Sequence, residues 1–135
     1  MRFPSDAPKI AIEMIHRVKA DAGCWSFGWL IKNVTGQPIK FLAARLPHGQ
    51  FRGPEKKLNP SLDVGPGASI RIGTSVLCDE PPGAVVENAF LILLCEWQDM
   101  RWRIFVRLRV TINQQGEPEP VSNFITTQQV GFSGI

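Results

Sequence analysis

The chain has 135 residues, an apolar share of 44% and a formal charge of +3. That length fits one domain able to close a core without disulfide or metal support, and no uncharged apolar run approaches the roughly 18 to 20 residues a membrane helix needs. The surplus of basic residues is small and scattered rather than gathered in one run, which argues against nucleic acid as a partner.

Met1 to Pro8 lacks the apolar stretch of a secretory signal. A cytoplasmic home is therefore expected, with a periplasmic or surface location the alternative if a signal was removed. Beyond it, short extended runs alternate with Gly- and Pro-containing breaks, and the reading is all-β. In the first run, Lys9 to Val18, the apolar residues Ile10, Ile12, Met14, Ile15 and Val18 mix two periods and admit either a strand or a short helix. The second, Cys24 to Val34, sets Trp25, Phe27, Trp29 and Ile31 on one face, which should enter the core. Thr35-Gly36-Gln37-Pro38 turns the chain into a third strand, Pro38 to Leu46.

Pro47 to Lys57 is too long for a minimal hairpin turn, and long loops often carry binding function. Its candidate binding residues are His48, Phe51 and Arg52. The plainer alternative is a connection in which Arg52, Lys56 or Lys57 pairs with Asp79 and Glu80. Strands are expected next at Leu58 to Val64 and, after Gly65-Pro66-Gly67, at Ala68 to Cys78.

The most informative segment runs from Val85 to Ile112. Val85 to Trp97 is almost wholly apolar, as in a strand covered on both faces. Trp102 to Asn113 alternates, with Ile104, Val106, Leu108 and Val110 opposed to Arg103, Phe105, Arg107 and Arg109. Two antiparallel ribbons follow, with both tryptophans under a second layer. Pairing Trp97 with Trp102 across a loop from Gln98 to Arg101 opposes Cys95 to Ile104, Leu94 to Phe105 and Ile92 to Arg107. The outer face then gathers Phe90, Ile92, Leu94, Arg103, Phe105, Arg107 and Arg109. Apolar and aromatic residues among arginines suit a protein interface. An ordinary solvated face crossed by arginine stems, or one covered by the first segment or the tail, is the competing reading.

Cys24, Cys78 and Cys95 are odd in number and lack paired spacing, so free, buried thiols are expected. His16 and His48 lie far apart without zinc-site spacing, and no phosphate cradle or carboxylate pair stands in a recognisable context. No catalytic residue, metal site or cofactor is assigned, and the chain is not expected to be an enzyme. Residues 1–113 are expected to form the domain. Residues 114–135 read as a linker and tail, whose Phe124 to Phe132 could dock on its own domain, add to a neighbour's sheet or stay disordered.

The run from Trp29 to Ile39, Trp-Leu-Ile-Lys-Asn-Val-Thr-Gly-Gln-Pro-Ile, followed by Leu62 to Ile70, resembles bacterial immunoglobulin-like sandwich modules of the CARDB kind over roughly Ala20 to Asn113. The resemblance implies an immunoglobulin-like antiparallel β-sandwich of about seven strands in an accessory or adhesion-type role, with no catalytic residues to carry over. The function expected is a non-catalytic interaction or assembly module with a protein partner or self-association. The alternative is a binding domain for an anionic ligand, carbohydrate or nucleic acid.

Overall fold

The computed structural model describes residues 7–131. Its strands, in chain order, are β1 (Ile10–Asp21), β2 (Cys24–Asn33), β3 (Ile39–Leu46), β4 (Gly53–Val64), β5 (Ser69–Leu77), β6 (Val85–Trp97), β7 (Met100–Ile112) and β8 (Pro118–Gln129). They form two antiparallel sheets, β1-β2-β5 and β4-β3-β6-β7-β8, that face each other across one core. The all-β sandwich expected from the alternation is thus present. It has eight strands rather than seven.

The first segment is a strand and not a helix. Its mixed periodicity comes from bulges between Met14 and His16 and between Lys19 and Asp21, each of which switches the face presented by the residues that follow. β2 alternates without interruption, and Trp25, Phe27, Trp29 and Ile31 are all buried. The two buried indole N–H groups on this strand have partners: Trp25 donates to the Cys78 carbonyl at 3.0 Å and Trp29 to the Thr74 hydroxyl at 2.9 Å. A buried N–H left without a partner costs free energy, which gives the buried Thr74 its role, whereas the buried Trp102 indole N–H has no partner among the described residues.

Trp97 and Trp102 lie in the core, in an edge-to-face pair with centroids 6.1 Å apart. The hairpin joining their strands is tighter than expected. Gln98 and Asp99, at φ 51 and 63, form a two-residue turn, and Trp97 pairs with Met100. Positive φ at both central positions matches the twist of the flanking strands, which is why two residues suffice where four were expected. The register therefore moves by two, with Cys95 opposite Trp102 and Leu93 opposite Ile104. A shift of two leaves every side chain on its face.

The five-stranded sheet continues past residue 113, where the domain was expected to end. Asn113 Oδ1 accepts the Gln115 and Glu117 amides, each at 2.9 Å, and closes a tight turn where a linker was expected. β8 then pairs along the whole of β7, from Ile112–Pro118 to Trp102–Gln129, with Pro118 and Pro120 buried. An edge strand tolerates prolines because one side of its ladder goes unpaired. Arg17 of β1 ties the two sheets at this side, donating to the Pro118 carbonyl at 3.0 Å and pairing with Glu117 at 3.1 Å.

At the opposite side the loop after β3 seals the sandwich. Arg52 exchanges backbone hydrogen bonds with Leu77, and Phe51 is fully buried with its ring edge-on to Phe27, centroids 5.2 Å apart.

Candidate functional site

β6 and β7 present their second face away from the core. In the observed register Glu96 opposes Arg101, Leu94 opposes Arg103, Ile92 opposes Phe105 and Phe90 opposes Arg107. β3 extends the row on one side, with Ala43 beside Leu94 and Arg45 beside Ile92. β8 extends it on the other, with Phe124 beside Arg107 and Val121 beside Arg109. Among the described residues no strand packs over this face: β1 belongs to the other sheet and β8 lies alongside β7.

Arginine stems cover part of the apolar surface. Ile92 is only 8% exposed although it points away from the core, and Phe90, Leu94 and Phe105 are half-buried among Arg103, Arg107 and their neighbours. The face opens towards β8, where Phe124 is 50% and Val121 66% exposed.

The guanidinium groups have different partners. Arg109 pairs with Glu87 at 3.4 Å and Arg101 with Glu96 at 3.6 Å, both in solvent. Arg107 donates to Asn88 Oδ1 and lies 5.2 Å over the Phe124 ring. Asn88 reaches it from a bulge between Val86 and Ala89, at a φ of 61 that asparagine tolerates better than most residues. Neither Arg45 nor Arg103 forms an ion pair among the described residues. Both line a depression of about 160 Å³ with Ala43, Glu55, Ile92 and Leu94.

All the outer-face candidates named from the sequence, Phe90, Ile92, Leu94, Arg103, Phe105, Arg107 and Arg109, share this one surface. Ala43, Arg45, Val121 and Phe124 were missed. Their own strands carried the signal, but only pairing shows that β3 and β8 flank this hairpin. The second candidate group does not come together. Phe51 is a core residue, while Arg52, exposed like His48, turns its guanidinium back to the Gly49 carbonyl at 3.1 Å. The pairing of Arg52, Lys56 or Lys57 with Asp79 and Glu80 is not among the ion pairs of the described residues.

All three cysteines are free. Burial raises the Cys95 thiol to about 12, with Glu96 adding to the shift. Burial likewise raises Cys78 to about 11, helped by Glu80 and Asp79. Such thiols stay protonated and unreactive at neutral pH. Among the described residues no group of three or more His, Cys, Asp or Glu could hold a metal ion. No helix there is long and apolar enough to cross a membrane.

No family model and no curated protein matches the chain. A solved structure titled "X-ray structure of Northeast Structural Genomics Consortium target SoR45" is similar to it at 10% identity and a TM-score of 0.34, over 93% of this chain and 87% of that one.

Proposed function

We propose that the chain is a non-catalytic interaction module that binds a protein partner through the outer face of the five-stranded sheet. The observation that carries this reading is the row of Phe90, Leu94, Phe105 and Phe124, covered by no strand among the described residues and set among Arg45, Arg103, Arg107 and Arg109. Aromatic residues and arginine are the types enriched where proteins meet, and a sheet face with no strand packed over it among the described residues leaves them available. The immunoglobulin-like resemblance supports the same accessory role. So do the buried, proton-holding thiols, which offer no nucleophile. As for the tail strand, β8 pairs with β7 and enlarges the face with Phe124 and Val121, and its outer edge has no strand beside it among the described residues.

Affinity chromatography on the immobilised chain tests the reading, with wild type compared with Phe105→Glu and Phe124→Glu. A protein retained by wild type and lost with both variants is the expected result. A protein retained equally by all three, or no retained protein together with a monomer in light scattering at all concentrations, overturns it.

A further inference from the structure

The outer face is unevenly neutralised, and the unevenness points to what it binds. Glu87 and Glu96 answer Arg109 and Arg101, while Arg107, with no ion pair among the described residues and a buried Nε without a partner, still has the Asn88 oxygen and the Phe124 ring beside it. Arg45 and Arg103 are left. They oppose Ile92 and Leu94 from either side of β6, so two guanidinium groups flank an apolar floor. Glu55, which lines the same depression, pairs with neither among the described residues. A volume of about 160 Å³ is too small for a drug-sized ligand, whose sites run from roughly 300 Å³ upward, and suits one or two side chains.

We infer that this depression receives an acidic peptide segment of a partner protein. A Glu or Asp carboxylate bridges Arg45 and Arg103, and an adjoining apolar side chain rests on Ala43, Ile92 and Leu94. The inference deepens the proposed function and rests on it. Charge complementarity selects the occupant. A second copy docked with its two-fold axis through this depression would set Arg45 and Arg103 against their own kind, and like charges across an interface are strongly unfavourable. A carboxylate instead gains charge-assisted, fork-shaped hydrogen bonds from guanidinium groups beside an apolar surface that sheds water.

The test uses the whole chain and follows its backbone amides by NMR during titration, at low salt, with a short synthetic peptide alternating Glu and Leu. Alternating Ser–Leu and Lys–Leu peptides and a short oligothymidylate serve as comparisons. The Glu–Leu peptide is expected to shift Ala43, Arg45, Ile92, Leu94 and Arg103 foremost. Arg45→Glu with Arg103→Glu should weaken it by at least ~10-fold and favour the Lys–Leu peptide instead. Should that double variant not fold, Arg45→Gln with Arg103→Gln must show the loss alone. If Ser–Leu binds the face as tightly as Glu–Leu, the acidic occupant is overturned and the interface stands. If oligothymidylate shifts these amides more strongly than any peptide, the occupant is a nucleic acid and the inference fails. If no probe moves an outer-face amide, both the inference and the interface fail.

Discussion

Asn33, the last residue of β2, donates from Nδ2 to the Val64 carbonyl at the end of β4, 2.9 Å away, and so stitches one sheet to the other. The same amide nitrogen donates to the Gln37 carbonyl at 2.8 Å, and Oδ1 accepts from the Thr35 amide at 2.8 Å and its hydroxyl at 2.7 Å. Trp97 completes the network by donating to the Thr35 hydroxyl at 3.3 Å. Asn33 is fully buried, so the Asn33-Val34-Thr35 triplet is a structural turn and its amide is out of reach of glycosylation. Asn33→Asp keeps the size but cannot donate to Val64 and Gln37. It should cost about 3 kcal/mol and lower the melting temperature by about 10 °C, measured by thermal denaturation.

The loop before β4 should behave as part of the core. Phe51→Ala removes a buried ring and should cost about 3–5 kcal/mol in denaturant unfolding, while His48→Ala, in solvent three residues earlier, should stay within about 0.5 kcal/mol. Gly53 follows the same logic through its backbone. A Cβ there would collide with the Ser75 carbonyl oxygen. Gly53→Ala therefore has to push β4 from β5, a loss of about 1–3 kcal/mol.

These residues also mark how far the sequence could be read. Strand identity came from alternation, which β2 and β7 show cleanly because each has one buried face. Faces survived the error in the β6–β7 hairpin because the register slipped by an even number. What local pattern does not encode is which strands become neighbours. β8 was obscured by its prolines and polar residues, although an edge strand accommodates both. Phe51 looked like a loop residue because nothing nearby in sequence shows that Phe27 waits for it. The interface candidates were legible on β6 and β7 alone, and their partners from β3 and β8 required the sheet order.

The buried thiols should appear as a loss of stability at alkaline pH. Cys78 and Cys95 release protons at about 11 and about 12 in the folded chain, against an ordinary value of 9.0. Between about pH 9 and those values the unfolded chain holds fewer protons than the folded one, so stability falls as pH rises through that window and is untouched below it. Cys95→Ala costs stability at every pH through its cavity, but its stability should decline less steeply above pH 9. Urea unfolding of both chains across that range gives the slopes. Equal slopes would remove Cys95 as the cause.

Ending the chain at Gly116 should unfold the domain rather than trim a tail. β8 covers the outer edge of β7 along its length, and its loss would leave that strand's backbone groups unpaired beside Ile104, Val106 and Leu108. A long, flat, apolar edge invites aggregation. The Arg17 tie to Pro118 and Glu117 would go with it, loosening β1 as well. By contrast, Phe124→Ala removes a ring that is half in solvent and its contact with Arg107, which at an exposed site contributes about 0.5–1 kcal/mol. The expected pair of outcomes is an insoluble or molten truncated chain and a nearly unperturbed Phe124→Ala, compared by near-UV circular dichroism and sedimentation. A truncated chain that stays folded and monomeric would show that β8 is dispensable to the sandwich.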